Sequence, residues 1–148
     1  MVLLETYQNL LAKYNYQGWW PVYNGKEFKY STQDYSHPKN ETEQFEICVG
    51  ALLTQNTNWN NVMKALEKLI GQDCLSPEKI LKLDNERLQQ LIRSSGYFRQ
   101  KSERLKMFSA KWYEVLAYSK KSSIEFRKFL LSFENYIFKY LNALRSNH

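Results

Sequence analysis

Apolar residues recur at spacings of three and four along most of the chain, the period of helices that bury one face. Leu3, Leu4, Tyr7, Leu10, Leu11 and Tyr14 form the first such stripe. The period breaks between Asn15 and Asn40, where Gly18, Pro21, Gly25 and the turn-like run Tyr35-Ser36-His37-Pro38 fall, so residues 15–40 are expected to form a long ordered loop or a mobile insertion. It resumes from Glu43 to Leu53. There Phe45, Ile47, Cys48, Val49, Ala51, Leu52 and Leu53 leave little polar face, which predicts a central, buried helix. Five polar residues, Thr54-Gln55-Asn56-Thr57-Asn58, then interrupt it; such side chains bond to nearby backbone and favour turns and N-caps. A second amphipathic helix follows, with Trp59, Val62, Met63, Leu66, Leu69 and Ile70 on one side.

Ser76-Pro77-Glu78 reads as a helix start, with a capping hydroxyl, a proline at the first position and an acid in the first turn. That short helix is expected to end near Leu83, with Asp84 or Asn85 capping the next, which carries Leu88, Leu91 and Ile92. Gly96 in Ser94-Ser95-Gly96-Tyr97 suits a left-handed helix end. A longer helix over about Gln100 to Tyr118 places Leu105, Phe108, Trp112 and Val115 or Leu116 inward. Ser122 or Ser123 caps a last helical segment, over 122–146, with an apolar stripe from Phe126 to Leu144. No strand pattern competes, so the expected fold is all-α and residues 1–148 form a single helical domain.

Composition narrows the function. The 148 residues are 43% hydrophobic, enough for one core and too much for a disordered chain. No apolar run reaches the roughly 18 residues of a membrane span, and Met1-Val2-Leu3-Leu4-Glu5 lacks the basic start of a signal peptide. Cys48 and Cys74 are too few for a disulfide scaffold, and with His37 and His148 they make no zinc spacing, so no metal and no cofactor is expected and a reducing cytoplasm is the simplest setting. No nucleotide-binding glycine loop and no Ser/His/Asp set is present. Positive charge is concentrated: Arg93 to Lys128 holds ten basic and three acidic residues, a net of +7 within a total of +6. Such a field suits a polyphosphate partner; lysines that only solvate two amphipathic helices would look the same.

Four segments, in order, resemble one family. They are Gln17-Gly18-Trp19-Trp20-Pro21, then Phe45-Glu46-Ile47-Cys48-Val49-Gly50-Ala51-Leu52-Leu53-Thr54-Gln55-Asn56-Thr57-Asn58-Trp59, then Leu75-Ser76-Pro77-Glu78-Lys79-Ile80, and Ile92-Arg93-Ser94-Ser95-Gly96-Tyr97-Phe98-Arg99-Gln100-Lys101-Ser102-Glu103-Arg104-Leu105. Together they resemble endonuclease III-related proteins of the helix-hairpin-helix DNA glycosylase superfamily, in the branch that includes a bacterial 3-methyladenine DNA glycosylase. The likeness covers about Tyr16 to Phe108 and loosens through Leu131. It implies one helical lobe of a base excision repair glycosylase, with double-stranded DNA as partner and a flipped alkylated purine as the recognised base. In such relatives a Gln on the polar turn fills the gap left by the extruded base; Gln55, with Asn56 beside it, matches that place, the alternative being that both only cap the next helix. Trp19, Trp20 and Pro21 match an aromatic base pocket. Trp59 matches a further aromatic site there and fits equally a core position at helical spacing. Arg99, Lys101, Arg104 and Lys106 match a region near the DNA backbone, and equally an ordinary solvated helix face.

The chain also departs from the pattern. Relatives carry a glycine-rich hairpin and then a catalytic Asp, and many add an iron–sulfur cluster on four cysteines. This chain has no Gly after Gly96, no Asp after Asp84 and no Cys after Cys74. Arg127-Lys128-Phe129-Leu130-Leu131-Ser132 resembles the approach to the hairpin, but Phe133-Glu134-Asn135-Tyr136 stands where glycines belong. Glu134 has no counterpart as catalytic acid, and Lys139 matches no lyase motif. No catalytic residue is assigned, and the expectation is a C-terminally truncated member, impaired or inactive as this chain. The alternatives are a non-catalytic DNA-binding remnant and a helical interaction module. In the latter, the C-terminal stripe serves self-association or meets a second polypeptide.

Overall fold

The computed structural model describes residues 2–16, 20–32, 34 and 36–119. The last helical segment expected over 122–146, with its apolar stripe, lies outside the described residues. The chain divides into two compact units, Met1–Ser109 and Ala110–His148, and the second is described over 110–119. Six α-helices follow one another among the described residues: α1 (Val2–Tyr14), α2 (Glu41–Thr54), α3 (Trp59–Gly71), α4 (Pro77–Lys82), α5 (Asn85–Leu91) and α6 (Phe98–Ser119). The fold is mostly helical, as the periodicity predicts. No helix among the described residues is long and apolar enough to cross a membrane.

Four helix starts, those of α2 to α5, have a local cause. Asn40 Oδ1 accepts from the Glu43 amide at α2, Asn58 Oδ1 from the Asn61 amide at α3, and Asp84 Oδ1 from the Arg87 amide at α5. Ser76 Oγ accepts from the Lys79 amide at α4, with Pro77 at the first position. Each bond satisfies an amide that the helix itself leaves unpaired, worth about 1 kcal/mol. The end of α3 uses Asp73 at φ +51: its amide donates to Ile70 O and the Cys74 amide to Leu69 O, so two terminal carbonyls are satisfied without a glycine.

Packing follows the sequence stripes in the first unit, with one exception. Phe45, Val49 and Leu53 of α2 are buried with Val62, Leu66 and Leu69 of α3, joined by Ile80, Leu88, Leu91, Ile92 and, from α6, Leu105 and Phe108. Phe45 stacks on Phe108 at 5.8 Å between ring centroids. Each fully buried Leu, Ile or Phe contributes about 1.5–3 kcal/mol. The exception is α1, whose stripe is exposed, Leu3 by 88% and Leu10 by 51%.

Residues 15–40 contain structure that the periodicity did not predict. Val22–Tyr23 (β1) and Phe28–Lys29 (β2) pair antiparallel, Val22 opposite Lys29 and Tyr23 opposite Phe28. The connecting turn is Asn24-Gly25-Lys26-Glu27: Asn24 Oδ1 accepts from the amides of Lys26 and Glu27, and Gly25 takes φ +92, which a side chain would resist. With two residues a side, no alternation could show. Farther on, the His37 ring sits 2.9 Å from Glu43 Oε2 and 3.6 Å from Asp34 Oδ2, tying the end of this stretch to the start of α2.

Candidate nucleic-acid interface

The polar interruption between α2 and α3 is a tight turn. Gln55 has φ −57 and ψ 123, Asn56 has φ +54, and the Thr57 amide donates to Thr54 O at 3.2 Å. These are the dihedrals of a type II turn with Gln55 and Asn56 at its two central positions. Asn is, after Gly, the residue best suited to the left-handed second place. Gln55 and Asn56 are both exposed. The turn therefore holds Gln55 out at the end of α2, one face of which is buried while Ala51 is exposed, and Asn56 supplies the backbone reversal that puts it there.

Two cations of α6 hold this turn from behind. Lys101 is 2% exposed, and its ammonium donates to Leu53 O at 2.8 Å and to Ser95 O. It thus joins the last turn of α2 to the short 3-10 turn Arg93–Ser95. Burial, and secondarily Arg104, push its pKa below the usual lysine value. Three residues on, Arg104 Nη1 donates to Gln55 Oε1 at 2.9 Å. The expectation that Lys101 faces the DNA backbone is corrected here: its charge is turned inward and spent on two carbonyls. Lys106 Nζ donates to Leu83 O at 2.6 Å, at the end of α4, and is half-buried. Arg99 is exposed. These four basic residues, though on one helix, therefore serve different ends, which a count of charge along the chain does not separate.

Around Trp59, the first residue of α3, aromatic rings gather. Trp20 lies edge-on to it at 5.5 Å and 87°, and Phe28 of β2 edge-on at 6.0 Å and 84°. Phe28 also meets Tyr23 across the hairpin at 5.3 Å. Trp20, Phe28 and Trp59 are half-buried, and Pro21 is buried just before β1. Trp19 lies outside the described residues. A Cβ on Gly50 would stand 3.1 Å from Trp20 Nε1 and 3.6 Å from Leu66 Cδ1, so the glycine lets the indole rest against α2. Gly50 precedes Gln55 by five residues, a helical rise of about 7.5 Å. Phe28 and Tyr23 join this cluster without having been singled out in the sequence; the Asn24-Gly25 pair, a hairpin signal, could have found them.

A carboxyl anchors the hairpin. Glu46 of α2, 6% exposed, accepts the Tyr23 amide at 2.7 Å through Oε1. Burial pushes its pKa up against the pull of that hydrogen bond, and Glu43 adds to the rise. Glu46 and Gly50 are four apart on one face of α2, so one holds the strand and the other receives the indole that precedes it. Among the described residues no group of three or more His, Cys, Asp or Glu is placed to hold a metal ion.

The model of the HhH-GPD superfamily of base excision DNA repair proteins matches residues 49–144. A protein of Methanocaldococcus jannaschii described as "Putative DNA repair glycosylase" is 37% identical over 105 residues, 71% of this chain and 39% of its own length. Endonuclease III of Thermotoga maritima is 37% identical over 70 residues, 46% of this chain and 32% of its own. The chain thus spans about a third to two-fifths of these relatives. No solved structure matches.

Proposed function

The chain belongs to the HhH-GPD superfamily of base excision DNA repair proteins, and on that premise we propose that it binds double-stranded DNA and receives an extruded alkylated purine against Trp20 and Trp59 while Gln55 fills the vacated position. The observation that carries this reading is the pairing of two features at the α2–α3 junction: an exposed amide held out on a tight turn, and half-buried indoles meeting edge-on, one of them Trp59, four residues further along the chain. A base inside the stack is out of reach of any pocket, so it must leave and something must occupy its place. A Gln amide both fills space and bonds to the base left behind. An N-alkylated purine with a positive ring gains about 0.5–2 kcal/mol over an indole face, more than the neutral base does.

Of Arg99, Lys101, Arg104 and Lys106 on α6, Arg99 is the one whose exposure fits a phosphate contact; such contacts fix orientation without reading sequence, as a search for damage requires.

Fluorescence anisotropy tests this with labelled duplexes. One carries 7-methylguanine stabilised by a 2′-fluoro sugar, a cationic purine whose bond to the sugar holds; a second carries guanine. Tighter binding of the first, falling steeply with salt for both, is expected. Equal affinity for the two duplexes contradicts the base-recognition reading, and salt-independent binding contradicts the phosphate contacts.

A further inference from the structure

Arg104 does more than stand near Gln55. A guanidinium has five donors and no acceptor, so the atom of Gln55 that faces it has to be the amide oxygen. Arg104 Nη1 lies 2.9 Å from Gln55 Oε1. The ambiguity that usually attends a glutamine amide is thereby removed, and both hydrogens of Gln55 Nε2 are left to point elsewhere. The anchor behind this pair is firm. Lys101, one helical turn earlier on α6, is buried and donates to Leu53 O, two residues before Gln55. Backbone and side chain of the turn are thus held by the same helix.

We propose that Arg104 is a specificity-determining residue: by holding Gln55 Oε1 toward α6 it turns the amide's N–H groups outward, so that the finger meets the opposite base as a donor and the protein favours a pyrimidine over guanine opposite the extruded base. This rests on the reading of Gln55 as the residue that fills the gap. The chemistry of the exposed base edge carries the rest. Along its pairing edge thymine offers two acceptors, O4 and O2, flanking one N–H. Cytosine offers two adjacent acceptors, N3 and O2, beside one amino donor. Guanine offers one acceptor, O6, and two donors, N1–H and the N2 amino group. A finger that presents its N–H groups pairs with either pyrimidine and meets guanine's two donors unpaired, and a buried polar group left without a partner is costly. The extruded base is then the purine of a purine–pyrimidine pair.

The test uses the full chain, duplexes bearing a tetrahydrofuran abasic analogue opposite T, C, A or G, so that the gap exists with no base to extrude, and the intact duplexes of the same sequences. Binding is read by anisotropy for the wild type, Arg104→Met, Arg104→Lys and Gln55→Ala, with thermal unfolding of each as a check on the fold. The wild type is expected to bind the T and C duplexes about tenfold more tightly than the G duplex. Arg104→Met frees the amide to turn over and brings the four within about twofold. Arg104→Lys, which keeps a donor facing Oε1, retains the preference. A preference unchanged in Arg104→Met, or absent from the wild type, overturns the proposal. Gln55→Ala separates the two readings. If it leaves the preference for abasic over intact duplex unchanged, gap filling by Gln55 fails and the Arg104 proposal with it. If it abolishes that preference while Arg104→Met still discriminates between opposite bases, the Arg104 proposal alone fails. No binding to any duplex overturns both.

Discussion

The ammonium of Lys101 donates to the carbonyl oxygen of Leu53 at 2.8 Å, inside the protein and across 48 positions of sequence. That carbonyl belongs to the last turn of α2, whose oxygens the helix itself cannot satisfy. A lysine that reads as a phosphate ligand in the sequence is, in the fold, the cap of a helix end.

Replacing it is therefore a stability experiment. Lys101→Met keeps the alkyl stem and strips the donor from Leu53 O and Ser95 O, each buried acceptor costing about 1–3 kcal/mol when left unmade. Urea unfolding is expected to give a loss of about 2–4 kcal/mol. A loss below about 1 kcal/mol would mean that water takes over both carbonyls and that the lysine is not the anchor described.

The turn itself is open to a conformational test. Asn56 sits at φ +54. Asn56→Gly is expected to leave stability within a few tenths of a kcal/mol, since glycine adopts that region freely. Asn56→Val places a branched side chain there and is expected to cost about 1–2 kcal/mol. Thermal unfolding of the two variants checks the order; equal effects would contradict the type II geometry.

Glu46 gives a pH dependence with a definite sign. Burial raises its pKa in the folded protein, so folding takes up a proton between the unfolded and the folded value. Stability is highest with respect to this group below the unfolded value and declines as pH rises through the folded one. Glu46→Gln retains an oxygen for the Tyr23 amide and carries no charge. Denaturant midpoints measured from about pH 5 to pH 8 are expected to show a decline in the wild type that the variant lacks. Parallel profiles would mean that the buried carboxyl does not titrate there.

The aromatic cluster is tested by charge. Trp59→Ala is expected to weaken binding of the duplex with 2′-fluoro-stabilised 7-methylguanine by about 2- to 30-fold, the range of one cation–indole contact. A duplex with 3-deaza-3-methyladenine, a neutral isostere of a methylated purine, should lose less. An equal loss on both would assign Trp59 a packing role only.

The sequence was most informative where period and chemistry coincided. Ser76-Pro77 and Asp84 marked helix starts, the stripe through Val62, Leu66 and Leu69 marked a buried face, and each is found as expected. It was least informative where contacts are long-range. Nothing local distinguishes Lys101, turned inward, from Arg99, exposed two residues earlier. The direction of each side chain depends on what α2 presents, 40 residues and more away. The β1–β2 hairpin was missed because two-residue strands carry no alternation, and with it Phe28 and the strand amide that Glu46 holds. Gly50 sits within a motif, but its reason, an indole 3.1 Å from where a Cβ would stand, is a packing fact. The exposure of the α1 stripe is likewise invisible to a periodicity, which shows that a helix has an apolar face and not what meets it.

The proposed function requires that Trp20 and Trp59 line the place that accepts an extruded base. The most direct measurement follows the indole N–H signals of the four tryptophans by two-dimensional 1H–15N NMR during titration with the duplex carrying stabilised 7-methylguanine. The Trp20 and Trp59 signals are expected to shift more with this duplex than with one carrying guanine, while Trp112 of α6 responds to both alike. Trp20 and Trp59 signals that stay in place as the DNA binds, or that move equally with both duplexes, would contradict it.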